Sequence, residues 1–591
     1  MRNFAGLNIR NIYNLLQIMK KILFLLSIAI MLASTVLAVP AKPGLWKMLR
    51  LTDGTEVRAL LCGDEHSHYW ITEDGQRLVE SGDAYTTISS EQLAARKLAR
   101  RALGNNTSRK SPQKVKAGER THYEGQKKGL VILAQFTDRK FLEADSLGLY
   151  NRILNEKGLR LNKFKGSVSD YFHDQSNGQF ELTFDVIGPI DLQHEVKYYG
   201  GNDRIGDDLR PMDMIIEACK AVDEEVNFKN YDWDGDKEVD EVFVVYAGKG
   251  EADSGDKNAI WPHMNTLKAG GKSLMLDSVN INTYACSSEL SASGTIAGIG
   301  TFCHEFSHCM GFPDFYDITY SGWFGMADFD LMCAGSYNGG GFTPPNYSAH
   351  ELLMCGWLEP IVLGDEDVTI ENLQPRSNKG ETFIVYNTAY PDEYYTLENR
   401  QLSGWDAALP GKGLMVSHID FDPNLWFENT PNTPLSVREA IYYNMTPNDH
   451  QRMTILHADN NDDSQYWDSY YKIYTRMTTS TDLYPYYKRD SINALSTPAL
   501  EYYNDNGLGE LMARWSITDI TQNANGTMSF KYHAPVYTEE EKKIVGITNH
   551  TTAATSTAKG VFSLSGCYLG TSLQGLPRGM YIVNGKKVVK K

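Results

Sequence analysis

From Lys128 to Phe136 the chain reads Lys-Gly-Leu-Val-Ile-Leu-Ala-Gln-Phe, an apolar run of strand length that predicts a continuous buried strand. Val239 to Ala247 predicts a second. Gly166 to Phe172 opens with N-cap chemistry and stops before Asn177-Gly178, which predicts a short helix. Pro211 to Val226 carries an apolar stripe through Met214, Ile215, Ala218 and Ala221, the spacing of an amphipathic helix. The run Gly294 to Cys303 is apolar enough for a buried helix.

The pattern changes twice along the chain. Before residue 120, strand-like runs alternate with the turn pairs Asp53-Gly54 and Asp74-Gly75, followed by a basic segment, Arg96 to Lys116, broken by Gly104-Asn105-Asn106. Such a connector suits proteolytic processing. After residue 360, short alternating stretches at 381–386, 393–400, 413–420, 453–458 and 526–532 predict a β-sandwich or another β-rich unit. Residues 19–38 combine Lys20-Lys21, an apolar run and Val36-Leu37-Ala38, which reads as a secretory signal with a start at Met19. The expected order is signal 1–38, propeptide 39–120, catalytic domain 121–360, β-rich domain 361–535, linker 536–558 and C-terminal tail 559–591, an α+β chain.

Composition narrows the picture modestly. A length of 591 residues fits about three to five folding units. A hydrophobic share of 42% with 22% charged residues is ordinary globular material. The 74 acidic residues against 57 basic ones give a net charge of -17, which disfavours nucleic acid as a partner. The apolar run of the signal is too short for a membrane span.

The chemistry concentrates at residues 304–314, His-Glu-Phe-Ser-His-Cys-Met-Gly-Phe-Pro-Asp. On a helix His304 and His308 share a face and can hold one zinc ion, with Glu305 placed to act on a water there as general base. Gly311 ends the helix, and Asp314 stands ten residues after His304, where zinc proteases of the longer motif carry a third ligand. Asp317 and Glu351 remain alternatives for that ligand. A second site is suggested by Asp232-Trp-Asp-Gly-Asp-Lys-Glu-Val-Asp240, whose Asp232, Asp234, Asp236 and Asp240 could converge on calcium. Lys237 stands where an EF-hand has glycine. Cys62 and His66 could block an open metal position, His418 and Asp420 share a strand face, and Cys303 and Cys309 are spaced so as not to pair.

The segments His304 to Asp317, Phe329 to Tyr337 and Tyr347 to Leu358, with Tyr394 to Arg400 and Gly404-Trp-Asp406, resemble the immune inhibitor A family of secreted bacterial zinc metallopeptidases. That resemblance implies a zincin-like catalytic domain, zinc on two histidines and an aspartate, Met332 in a Met-turn, and a propeptide ahead of the domain. Tyr337 or Tyr347 could donate a hydrogen bond in the transition state. The tail resembles the sorting signals of type IX secretion, which implies secretion machinery as a partner and delivery outside the cell or onto its surface. The expected activity is a zinc endopeptidase acting on proteins or peptides, with calcium as structural cofactor. A catalytically dead adhesin and a zinc hydrolase of non-peptide substrates are the rival expectations.

Overall fold

The structure is a computed structural model that describes residues 39–64, 68–93, 95–96, 123–203, 206–319, 322–462, 465–468, 473–476, 480–545 and parts of 561–590. The expected signal and most of the basic connector lie outside the described residues.

The first unit is an antiparallel meander of β1 (Trp46–Arg50), β2 (Glu56–Cys62), β3 (Tyr69–Thr72), β4 (Arg77–Ser81) and β5 (Ala84–Ile88) in sequence order. The two Asp-Gly pairs sit in its turns, where Gly54 and Gly75 supply positive φ. Cys62 packs with Leu60, Tyr69, Ile71 and Leu93 in this unit's own small core. His66 lies outside the described residues.

The second unit is built on a sheet of β6 (Gly125–Gln135), β7 (Phe180–Asp191), β8 (Val242–Lys249), β9 (His263–Thr266) and, after the hairpin β10 (Leu274–Leu276) and β11 (Val279–Ile281), β12 (Thr283–Leu290). Its order is β7-β6-β8-β12-β9, parallel throughout except for the antiparallel edge strand β9. Side chains alternate across it, so Leu130, Ile132 and Val244 enter one core while Val131, Leu133, Phe243 and Val245 enter another. The first face is covered by a helix at Pro211–Ala221, which stops five residues short of the expected Val226. The second is covered by α1 (Ser146–Asn155), α2 (Val168–Gln175) and the metal-motif helix, Gly300–Cys309. Ser167 and Asp170 form a reciprocal cap on α2, as its sequence predicted.

The metal-motif helix begins at Gly300, later than the apolar run from Gly294 suggested. Backbone contact decides this: a Cβ on Gly300 would stand 1.9 Å from the Ser336 carbonyl, and one on Gly298 2.1 Å from that of Gly341. The segment 294–299 therefore serves as a close backbone seat, and the glycines cannot be read as helix filler.

Among the described residues, 361–535 hold two sheets of three or more strands and a separate two-stranded pair. The larger runs β13 (Ile361–Val362), β15 (Phe383–Tyr386), β16 (Glu393–Arg400), β17 (Gly413–Asp420), β18 (Met453–Ile455), and the smaller β14 (Val368–Leu373), β22 (Met528–His533), β21 (Ser516–Gln522). Phe383, Tyr395, Leu397 and Val416 share one core with Ile370, Ile517 and Phe530 of the smaller sheet. On the opposite face Ile384, Tyr394, Met415 and Ile419 join the core that contains the metal-motif helix. The larger sheet is thus covered on both faces, which is why β16 and β17 are buried at every position.

Gly300→Ala is expected to cost about 1–3 kcal/mol or more of stability through overpacking against Ser336, read as a lowered melting temperature. Gly364→Ala, where an added Cβ meets nothing within 4 Å, is the control expected to melt with the parent.

Candidate metal centre

Phe302 and Phe306 anchor the buried side of the Gly300–Cys309 helix; the Phe302 ring stacks on Phe243 at 3.7 Å and both phenylalanines meet Phe184. Residues two and six positions on from Phe302 face elsewhere, and these are His304 and His308. Gly311, at φ 101°, turns the chain back beneath them, with its N–H on the His308 carbonyl. That return brings Asp314 into reach.

His304 Nε2 lies 3.0 Å from His308 Nε2, and Asp314 Oδ1 lies 3.3 and 3.4 Å from the two. Each imidazole donates from its other nitrogen to a backbone carbonyl, His304 Nδ1 to Leu331 at 2.8 Å and His308 Nδ1 to Phe312 at 2.7 Å. Those bonds fix the tautomers so that both Nε2 atoms present lone pairs. Burial pushes His308 down to about 4, so it is neutral at pH 7. Asp314 Oδ1 accepts no hydrogen bond, and all three residues are at most 1% exposed. Two nitrogen and one oxygen acceptor meet with no donor between them, a set that fits a divalent metal of the zinc type.

The remaining oxygen of Asp314 is held from the third unit. Asn429 donates from Nδ2 to Asp314 Oδ2 at 2.8 Å and accepts the Asp314 N–H at Oδ1, 2.6 Å. No sequence signal marked Asn429, because it stands 115 residues downstream in an irregular segment.

Glu305 is fully buried beside the cluster; burial raises its carboxyl far above the usual range, the Val39 N–H opposes this and Asp314 adds to it. The Val39 nitrogen donates to Glu305 Oε1 at 2.9 Å. Met332 is buried in the turn after Asp330, takes the Phe315 N–H on its carbonyl, and follows Leu331, which holds His304. Tyr337 donates its hydroxyl to the Pro40 carbonyl at 2.8 Å. Tyr347 instead pairs with Ser307 on the inner side of the helix, fully buried.

The alternative third ligands are engaged elsewhere. Asp317 gathers the N–H groups of Thr319, Gly322 and Trp323, and Glu351 caps its own helix through Ser348 beside buried Asp330. His418 ion-pairs with Glu393 at 2.9 Å, and Asp420 with His450 at 2.9 Å and with Arg452. Cys303 and Cys309 are separate thiols. In the acidic loop, Asp232, Asp234 and Asp240 bring one oxygen each within 4.8 Å of one another, while Asp236, whose carboxylate takes the Glu238 N–H, falls outside that group.

Asn429→Ala is expected to weaken metal binding about 10- to 100-fold by freeing the Asp314 carboxylate, measured by chelator competition. An unchanged affinity would remove Asn429 from the support of the centre.

Residues 118–352 match the family described as immune inhibitor A peptidase M6, catalytic domain. The chain is 26% identical over 274 residues to "Immune inhibitor A" of Bacillus thuringiensis subsp. alesti, covering 42% of this chain and 38% of that protein. It is 25% identical over 211 residues to "Pre-pro-metalloprotease PrtV" of Vibrio cholerae serotype O1 (strain M66-2), covering 31% of this chain and 23% of that protein. The chain thus spans well under half the length of these curated relatives. Among the described residues no helix is long and apolar enough to cross a membrane. Residues 118–352, which contain the His-His-Asp cluster, are thus similar to the catalytic domain of M6-type metallopeptidases.

Proposed function

We propose that the chain is a secreted zinc endopeptidase made as a latent precursor. The observation that carries the reading is the meeting of His304, His308 and Asp314 as three buried acceptors beside Glu305. Zinc held there would supply a Lewis acid and lower the pKa of a water at the site. Glu305 takes the proton from the attacking water at Oε1 or Oε2 and returns it to the leaving amine. Tyr337, whose hydroxyl donates to the Pro40 carbonyl, would donate in the same way to the scissile carbonyl as charge develops.

Latency is supported by what fills the cleft. Val39 and Pro40 follow the expected signal cleavage after Ala38, and Val39 is fully buried with its carbonyl on Trp261 Nε1 at 3.0 Å. Its nitrogen sits on the general base, so substrate and water are displaced together. The segment is pinned from both sides, by Ala41 N–H on Gly63 O and Lys42 N–H on Ala252 O. Farther off, His68 of the meander lies 3.4 Å from buried Glu251, and Asn202 reaches Glu251 and Glu80, so the meander is seated on the second unit. Calcium at Asp232, Asp234 and Asp240, with Asp236 shaping the turn, and a C-terminal export tail complete the proposal.

Glu305→Ala is expected to reduce casein cleavage about 100- to 10,000-fold with metal content intact, and chelation to abolish the parent's activity. Full activity in either case would overturn the reading, and metal retention without any cleavage by the processed parent would favour the adhesin. A chain beginning after Lys42 is expected to cleave without processing; silence of that chain, correctly folded, would remove the segment at Val39 from the latency mechanism.

A further inference from the structure

A second group of ligand-type side chains lies in the third unit, outside the cluster already described. His457 and Asp459 directly follow β18, and Asp482 stands where the chain returns from an excursion carrying β19 (Gln465–Asp468) and β20 (Ile473–Arg476). The two sides meet at its base, where the Ala458 N–H donates to the Asp482 carbonyl at 2.8 Å. His457 Nδ1 lies 2.9 Å from Asp482 Oδ1, and one ligand atom of each of His457, Asp459 and Asp482 falls within 4.8 Å of the others.

The group is buried and, apart from the His457–Asp482 hydrogen bond, rich in acceptors. Asp482 is 1% exposed and His457 5%, yet Asp482 Oδ2 and His457 Nε2 make no hydrogen bond. Asp459 faces the same point, its own oxygens steadied by Thr481 Oγ1 at 2.6 Å and the Asn461 N–H at 2.9 Å. Two carboxylates and one imidazole leave an excess of negative charge in a closed place. Arg489 does not offset it directly; it spends a guanidinium N–H on the Ala458 carbonyl, 2.7 Å away. A buried carboxylate oxygen with no donor is costly unless a cation or a proton meets it.

We propose that His457, Asp459 and Asp482 form a further divalent-cation site that closes the base of the β19–β20 excursion. One imidazole and two carboxylates suit a borderline ion such as Zn2+ or Mn2+, with water completing the shell. Ca2+, which takes six to eight oxygens, is the poorer match. The site is structural and abuts the loop between Asp314 and Met332: the His457 ring stands edge-on to Phe324 at 4.3 Å, and Thr454 Oγ1 donates to the Gly325 carbonyl at 2.9 Å.

The test uses the full chain carrying His308→Ala, which disables the first cluster, dialysed against Zn2+ with excess Ca2+ to fill oxygen-only sites. Elemental analysis is expected to find about one equivalent of Zn2+, lost on adding Asp482→Asn, and Zn2+ is expected to raise the melting temperature of the first protein only. Co2+ in place of Zn2+ should give visible d–d bands that vanish with the same substitution. Should Asp482→Asn fail to fold, Asp459→Asn, at the less buried ligand, takes its place. Equal metal content with and without these substitutions would overturn the proposal, as would a metal-free protein whose stability rises on acidification, the mark of a proton shared between Asp459 and Asp482. Neither result bears on the first cluster, which His308→Ala has already removed.

Discussion

Lone pairs repel when they face one another in a place water cannot reach. His304, His308 and Asp314 direct three of them at one point, with separations of 3.0 to 3.4 Å, and the surrounding backbone makes any other arrangement expensive. Leu331 and Phe312 hold the outer nitrogens, so neither ring can turn to find a donor. Asn429 does the same for the aspartate. The architecture of the second unit follows from this need: a phenylalanine-faced helix on a buried parallel sheet, a left-handed glycine to reverse the chain, and a Met332 turn placed to receive His304.

The same constraint explains why the first unit reaches so deep. Glu305 is a carboxyl buried from water, and the Val39 N–H meets its Oε1 with a single directional bond. Trp261 and Tyr337 bind the two carbonyls that follow, so three successive backbone groups are satisfied by side chains of the second unit.

Much of this was legible in the residues. The spacing of His304, Glu305 and His308 fixes their relative directions on any helix, and Asp314 is brought back by a glycine whose role is local. The strands at 393–400 and 413–420 appear with the expected limits, and both of their faces are covered. What could not be read depended on distant backbone. The helix start at Gly300 is set by Ser336 and Gly341, and Asn429 and Val39 reach the centre across 115 and 266 residues. The acidic loop was half readable: three of its four aspartates converge, and the fourth is drawn off by the Glu238 N–H in a turn whose geometry no composition reveals.

The sheet of β13, β15, β16, β17 and β18 has no face of its own turned to solvent along β16 and β17. One side closes over the smaller sheet and the other over the helix that carries the histidines. Severing the chain near residue 360 would bare an apolar wall on both pieces and leave Asp314 without its amide clamp. Sequence boundaries and packing boundaries therefore differ in this molecule: the core that holds the metal-motif helix is completed by side chains from beyond residue 360, so the second and third units are one packed body.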